Sequence, residues 1–263
     1  MIADSQGVGI GYEVLGEGEP LVLVHGLAYD RAGWGRLPEL LARSFRVVLI
    51  DNRGVGESDA PEGPYAVSQM AADVAAVVDD AGMERTNLFG VSLGGYIAQE
   101  FTLTYPERVQ KLVLASTAPG GPKAHQMPAA GVEAFGKYPT MEREAGLRLM
   151  VENSVGTRGV RDVPGLADEV FAYRLEHAPS LAAWQAQAYA GATFDAYDRI
   201  NAIRAPTLVI QGGADNVVDP RNAELLAQLI PNARVEIVPD RGHLLVWEDS
   251  KLVAGLVTAF LRS

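Results

Sequence analysis

The sequence predicts an α/β protein: a mostly parallel central sheet flanked by helices, with an inserted helical cap. Three observations predict it. Short runs rich in Val, Leu and Ile recur between turn signals, stretches with helical apolar spacing separate them, and over residues 119–198 the strand-like runs stop. Alternation of the first two kinds is the pattern of a parallel sheet covered by helices, and its interruption marks an insertion.

In chain order, residues 1–15 read as a hairpin-like pair. PLVLVHG (20–26) follows as a strand, and Leu37, Leu40 and Leu41 then fall on one helical face. RVVLIDNRG (46–54) is the next strand, followed by a helix carrying Met70, Val74, Val77 and Val78. TNLFG (86–90) leads into a helix striped by Leu93, Ile97 and Phe101 that stops near Pro106, and KLVLAS (111–116) follows. None of these strand runs alternates strictly, which suits strands buried on both faces. The cap over 119–198 is rich in Met, Ala, Glu and Arg, with aromatics such as Phe135, Tyr138 and Trp184. PTLVIQGG (206–213) and ARVEIVPD (233–240) resume the sheet, so residues 1–118 and 199–263 form the expected core.

Composition narrows the function. A chain of 263 residues buries a substantial core without staples. Asp and Glu number 33 against 22 Lys and Arg, a formal net charge of -11 that disfavours nucleic acid and anionic membrane surfaces. With 0 Cys there is no disulfide framework, thiolate nucleophile or Cys-based zinc site. MIADSQGVGI lacks the features of a signal peptide and no run is long enough to span a membrane, so the default location is the cytoplasm. Apolar residues of a core and of an interface look alike in a sequence, so no oligomeric state is expected from it.

The chemistry centres on LFGVSLGGYIAQEF (88–101), where Ser92 stands between Gly90 and Gly94 at a strand-to-helix junction. Such a G-x-S-x-G turn projects a strained serine above the sheet, and small neighbours let the backbones approach. The competing reading is a glycine turn with a serine helix cap. A nucleophilic serine needs a general base and an orienting carboxylate. Of the 4 His, His243 in VPDRGHLL follows the last strand, at the C-terminal ends of the parallel strands where reactive loops collect. His25 reads as a loop-orienting residue, and His125 and His177 as solvated or cap-packing ones. GGADNVVDP (212–220) supplies the acid, Asp215, with Asp219 in reserve, while Asp240 reads as part of the turn before His243. Ser92, Asp215 and His243 then stand in the serine, acid, histidine order of this architecture. Oxyanion donors are expected from the backbone N–H groups of Leu93, next to the serine, and Leu27, in HGLAYDRAGW (25–34).

Together, His25-Gly26 with Trp34 downstream, DNRGVGES (51–58), GVSLGG, the loop ending in Asp215 and the Gly242-His243 pair resemble the α/β-hydrolase superfamily. Within it the chain is similar to the branch of 3-oxoadipate enol-lactonases, small carboxylesterases and cofactor-free haloperoxidases or perhydrolases. The resemblance implies a serine hydrolase of small-molecule esters or lactones, needing neither metal nor organic cofactor. Enol-lactonase, perhydrolase and receptor-like ligand binding are the alternatives. Asp51 and Arg53 read as loop stabilisers, with Gly54 and Gly56 permitting the turns. Trp34 and Trp184 are candidates for the substrate pocket, Trp34 equally for loop packing. A carboxylate-bearing lactone calls for a cation, and Lys123, Lys137, Arg143, Arg148, Arg158, Arg161 and Arg174 are the candidates.

Overall fold

A computed structural model describes residues 1–156 and 163–263. Its strands are β1 (Ile2–Ser5), β2 (Val8–Leu15), β3 (Glu19–Val24), β4 (Phe45–Ile50), β5 (Thr86–Val91), β6 (Val109–Ala115), β7 (Thr207–Gly212) and β8 (Ala233–Val238). They form one sheet in the order β1-β2-β4-β3-β5-β6-β7-β8. β1 and β2 pair antiparallel with each other and β2 with β4, while every pairing from β4 through β3 to β8 is parallel.

Parallel strands need crossovers, and helices supply them. These are α1 (Leu37–Leu41), α2 (Val67–Asp80), α3 (Leu93–Thr104) and α8 (Arg221–Leu229), with α9 (Leu245–Glu248) and α10 (Ser250–Leu261) after the last strand. Although the strand runs look uniformly apolar, the period of two still sorts their side chains. Val22 and Val24 of β3 join α2 and α3 residues such as Val74, Ile97 and Phe101 in one cluster. Leu21 and Leu23 face the other way, into a cluster with Leu37 and Leu41 of α1 and Val257 and Phe260 of α10. β8 departs from the expected two-sided burial: Arg234, Glu236 and Ile237 are exposed, because this strand is the sheet's edge.

Between β6 and β7 lie α4 (Ala129–Lys137), α5 (Arg143–Ser154), α6 (Leu166–His177) and α7 (Leu181–Thr193). The two ends of this segment are tied to each other: Gly120 and Asp195 form an isolated antiparallel bridge, Gly121 N–H donates to Phe194 O (3.0 Å), and Ala196 N–H donates to Pro119 O (3.0 Å). No helix among the described residues is long and apolar enough to cross a membrane.

The DNRGVGES turn is held by polar contacts within it and to Arg31 and Asp73. Asp51 accepts from the Arg31 backbone N–H (2.7 Å), Arg31 Nη1 (2.8 Å) and the Glu57 N–H (2.9 Å). Arg53 makes a buried two-point pair with Asp73 of α2, at 2.6 and 2.7 Å. Gly56 has a φ of 57° and sits where a Cβ would run into the Asp51 carboxylate.

Candidate active site

Ser92 sits between β5 and α3 with φ 56° and ψ -120°, a region that side chains with a Cβ rarely adopt. The strain is held by close packing. A Cβ on Gly94 would run into the Val24 carbonyl, and one on Gly95 into Thr117. The serine hydroxyl makes no cap to α3; it lies 3.0 Å from His243 Nε2.

His243 Nδ1 lies 2.9 Å from Asp215 Oδ2. An ionised carboxylate only accepts, so Nδ1 carries the proton and Nε2 is left to accept from the serine hydroxyl. Asp215 is buried with its acceptor sites filled. Val217 and Val218 N–H donate to Oδ1 at 2.7 and 2.9 Å, and Gln211 Nε2 shares Oδ2 with the histidine, also at 2.9 Å. The sequence marks Gln211 only as the polar residue that closes the apolar run PTLVIQ. Asp219 is turned away and pairs with Arg221, and Asp240 occupies the turn before His243 with φ 60°.

The histidine loop is braced from behind. Gly242 N–H donates to Glu248 Oε1 at 2.9 Å, and Gly156 N–H, beyond α5, reaches the same oxygen at 3.1 Å. Burial raises the pKa of the Glu248 carboxyl. His25 accepts the Gly26 N–H at Nδ1 (2.7 Å) and donates from Nε2 to Gly33 O (2.9 Å). Burial pushes its pKa down to about 3, so it is a neutral strut of the loop.

Leu27 and Leu93 both line the cavity beside Ser92, and among the described residues neither backbone N–H has an acceptor. The cavity above them measures about 790 Å³ and is walled mainly by apolar side chains, including Met127, Phe135, Met150, Trp184 and Phe194. Trp184, on α7, packs against Tyr138 with ring centroids 4.8 Å apart. Trp34 is not a pocket residue. It ends a short 3-10 turn (Arg31–Trp34) that directs the indole into the core beneath the loop, where it is fully buried against Phe89 and His25. Tyr96, missed in the sequence, lines the cavity stacked on Phe194, and burial raises its pKa to about 12.

Of the cations considered, Arg174 lines the cavity. Lys123 pairs with Asp198, Lys137 with Glu133 and Arg148 with Asp168, all exposed, and Arg143 donates to Leu175 O. Arg158 and Arg161 lie outside the described residues. His125 lines the cavity with its backbone tied to Asn222. His177 is partly exposed, 2.8 Å from Asp30 and stacked on Tyr173. Among the described residues no three His, Asp or Glu side chains come together to hold a metal ion.

The model of the α/β hydrolase fold family matches residues 19–250. The chain is 33% identical to the 2-hydroxy-6-oxononadienedioate/2-hydroxy-6-oxononatrienedioate hydrolase of Burkholderia vietnamiensis, covering 100% of this chain and 94% of that protein. Among solved structures, a thermophilic esterase from Thermogutta terrifontis superimposes with a TM-score of 0.85 at 28% identity, over 100% of this chain and 97% of that one. The enol-lactonase from Burkholderia xenovorans does so with a TM-score of 0.88 at 25% identity, over 100% of both. The chain belongs to the α/β-hydrolase fold family.

Proposed function

We propose that the protein is a serine hydrolase of small-molecule carboxylic esters or lactones, with Ser92 as nucleophile, His243 as general base and Asp215 as the orienting acid. The observation that carries this reading is the continuous relay from Ser92 Oγ to His243 Nε2 (3.0 Å) and from Nδ1 to Asp215 Oδ2 (2.9 Å). It opens onto an apolar cavity with two unengaged N–H groups beside the serine.

In the proposed cycle Ser92 Oγ attacks the carbonyl carbon and its proton passes to His243 Nε2. The Asp215 carboxylate stabilises the imidazolium, and the N–H groups of Leu27 and Leu93 receive the oxyanion. Collapse of the adduct breaks the bond to the alcohol oxygen, which leaves with the proton from Nε2. Water then attacks the acyl-enzyme, giving its proton to Nε2, and the carboxylic acid departs as Ser92 regains its hydrogen. The proposed ligand is a small molecule whose acyl part contacts the apolar walls. We further propose a core of residues 1–118 and 199–263 and a cap of residues 119–198, supported by the fact that residues of the second segment form most of those walls.

A screen of short-chain aryl esters and lactones, run with a fluorophosphonate probe, tests this reading. Wild-type protein is expected to label and turn over, and Ser92→Ala to lose labelling with a roughly 10⁴- to 10⁶-fold fall in kcat. Absence of both labelling and turnover in the wild type overturns it in favour of a receptor-like ligand-binding role. Peracid formation outpacing hydrolysis when peroxide is supplied would redirect it to perhydrolysis on the same residues, and preference for a carboxylate-bearing enol-lactone would narrow it to enol-lactonase.

A further inference from the structure

The loop that carries Leu27 is gripped by two helices of the inserted segment. Gly26, Leu27, Ala28 and Tyr29 form a tight turn closed by the Tyr29 N–H to Gly26 O bond (3.3 Å). Its third residue, Ala28, has φ 63°, a left-handed conformation in which turns favour glycine. Alanine has no intrinsic reason to stay there.

What holds it comes from far along the chain. Ala28 N–H donates to Gln187 Oε1 on α7 at 2.8 Å, and Ala28 O accepts from Arg174 Nη1 on α6. Gln187 is wholly buried, and its amide nitrogen donates to Arg53 O at 2.8 Å. Arg53 is in turn fixed by its pair with Asp73 of α2. The Arg174 guanidinium, itself buried, lies 4.4 Å from the Tyr29 ring centroid. Both polar groups of Ala28 are therefore engaged by the insertion, and neither helix side chain is free to swing away.

This matters for Leu27 because the peptide unit is planar and trans. Gly26 C=O and Leu27 N–H belong to one such unit and point in opposite directions. The bond that fixes Gly26 O therefore also fixes the direction of the Leu27 N–H. A turn released at Ala28 has a lower-energy alternative, in which the alanine returns to negative φ and the peptide planes around Leu27 rotate.

We propose that Gln187 and Arg174 are positioning residues that clamp Ala28 in its left-handed conformation and so aim the Leu27 N–H at the oxyanion. The inference rests on the reading of Ser92 as nucleophile and Leu27 as oxyanion donor. It gives the inserted helices a part in the chemistry besides walling the cavity, because the turn is held only while α6 and α7 are docked.

The test compares Gln187→Leu, Arg174→Met and the double variant in the full chain, with a small aryl acetate that leaves most of the cavity unfilled. Each single variant is expected to lose about ten- to hundredfold in kcat with KM within about threefold, since a mis-aimed donor acts on the transition state. An aryl trifluoromethyl ketone, which forms a tetrahedral adduct, is expected to weaken by the same factor. Because both side chains act on one residue, the double variant is expected to lose far less than the product of the singles. Losses confined to KM, losses that multiply, or kcat unchanged in both singles overturn the clamp. Fluorophosphonate labelling of wild type but not of Ser92→Ala separates the two failures: a labelled enzyme with unaffected variants refutes the clamp alone, and an unlabelled wild type refutes the serine reading. If Gln187→Leu does not fold, Arg174→Lys against Arg174→Met decides, because lysine keeps a donor for Ala28 O and is expected to retain more kcat; equal activity in the two overturns the proposal.

Discussion

His25 shares the cavity with His243 but is locked as a neutral imidazole by the Gly26 N–H at one nitrogen and Gly33 O at the other. Its pKa near 3 in the folded chain, against 6.5 unfolded, couples it to stability. Between those values the unfolded chain binds the extra proton, so this contribution is whole above pH 6.5 and is lost as pH falls towards 3. The slope is at most about 1.4 kcal/mol per pH unit. Denaturant titrations at pH 4 to 7 should therefore show a flatter acid limb for His25→Gln than for wild type, whatever their difference at pH 7; equal slopes would refute the assignment. At this scale legibility followed sequence distance. Ser92, Asp215 and His243 each announce themselves beside a strand end with local turn residues. Gln187 gives no such sign, because its partner Ala28 is 159 positions away. The direction of the Trp34 ring depended likewise on packing, against Phe89 of a strand not yet formed in any local reading.

The β5-to-α3 junction turns on contacts too close for any added atom. Gly94 faces the Val24 carbonyl, and since that neighbour is backbone in the middle of the sheet, nothing there yields cheaply. Gly94→Ala should destabilise the fold by roughly 1–3 kcal/mol or more and lower kcat further by shifting Ser92 against His243; thermal unfolding and burst labelling measure the two effects, and a variant equal to wild type in both would contradict the packing. Core elements were legible because a strand in mid-sheet is apolar on both faces and a helix such as α2 on one. The helices between β6 and β7 were legible only as a region. Their apolar residues are divided between packing and lining a cavity, as Trp184 and Phe135 do, so no single stripe marks where each begins. β8 reads as buried from the Val and Ile it shares with the other strand runs, and only its place at the edge of the sheet explains why Arg234 and Glu236 are tolerated there.

For the whole molecule, two apolar clusters on opposite faces of one sheet account for its layered build, and the net charge of -11 sets its long-range field. A net negative field of this size disfavours the approach of polyanions. A heparin column at neutral pH and low salt should let the protein pass without retention, and binding that salt reverses would show a local basic surface overriding the total.

The paired ends of the inserted segment carry a different consequence. Gly120 and Asp195 meet at a fixed base, with backbone hydrogen bonds on either side, so the sheet experiences the segment as a closed loop whatever its length. Loop closure grows only slowly in cost with added residues, about 0.6 kcal/mol per doubling. Residues 122–193 are thus open to lengthening, shortening or wholesale replacement without disturbing β6 or β7. The freedom has conditions: a replacement must again offer an acceptor and a donor to the two sides of Ala28 and a donor to Glu248 where Gly156 now stands, or the exchange would change the shape of the chamber and disarm the floor beneath it.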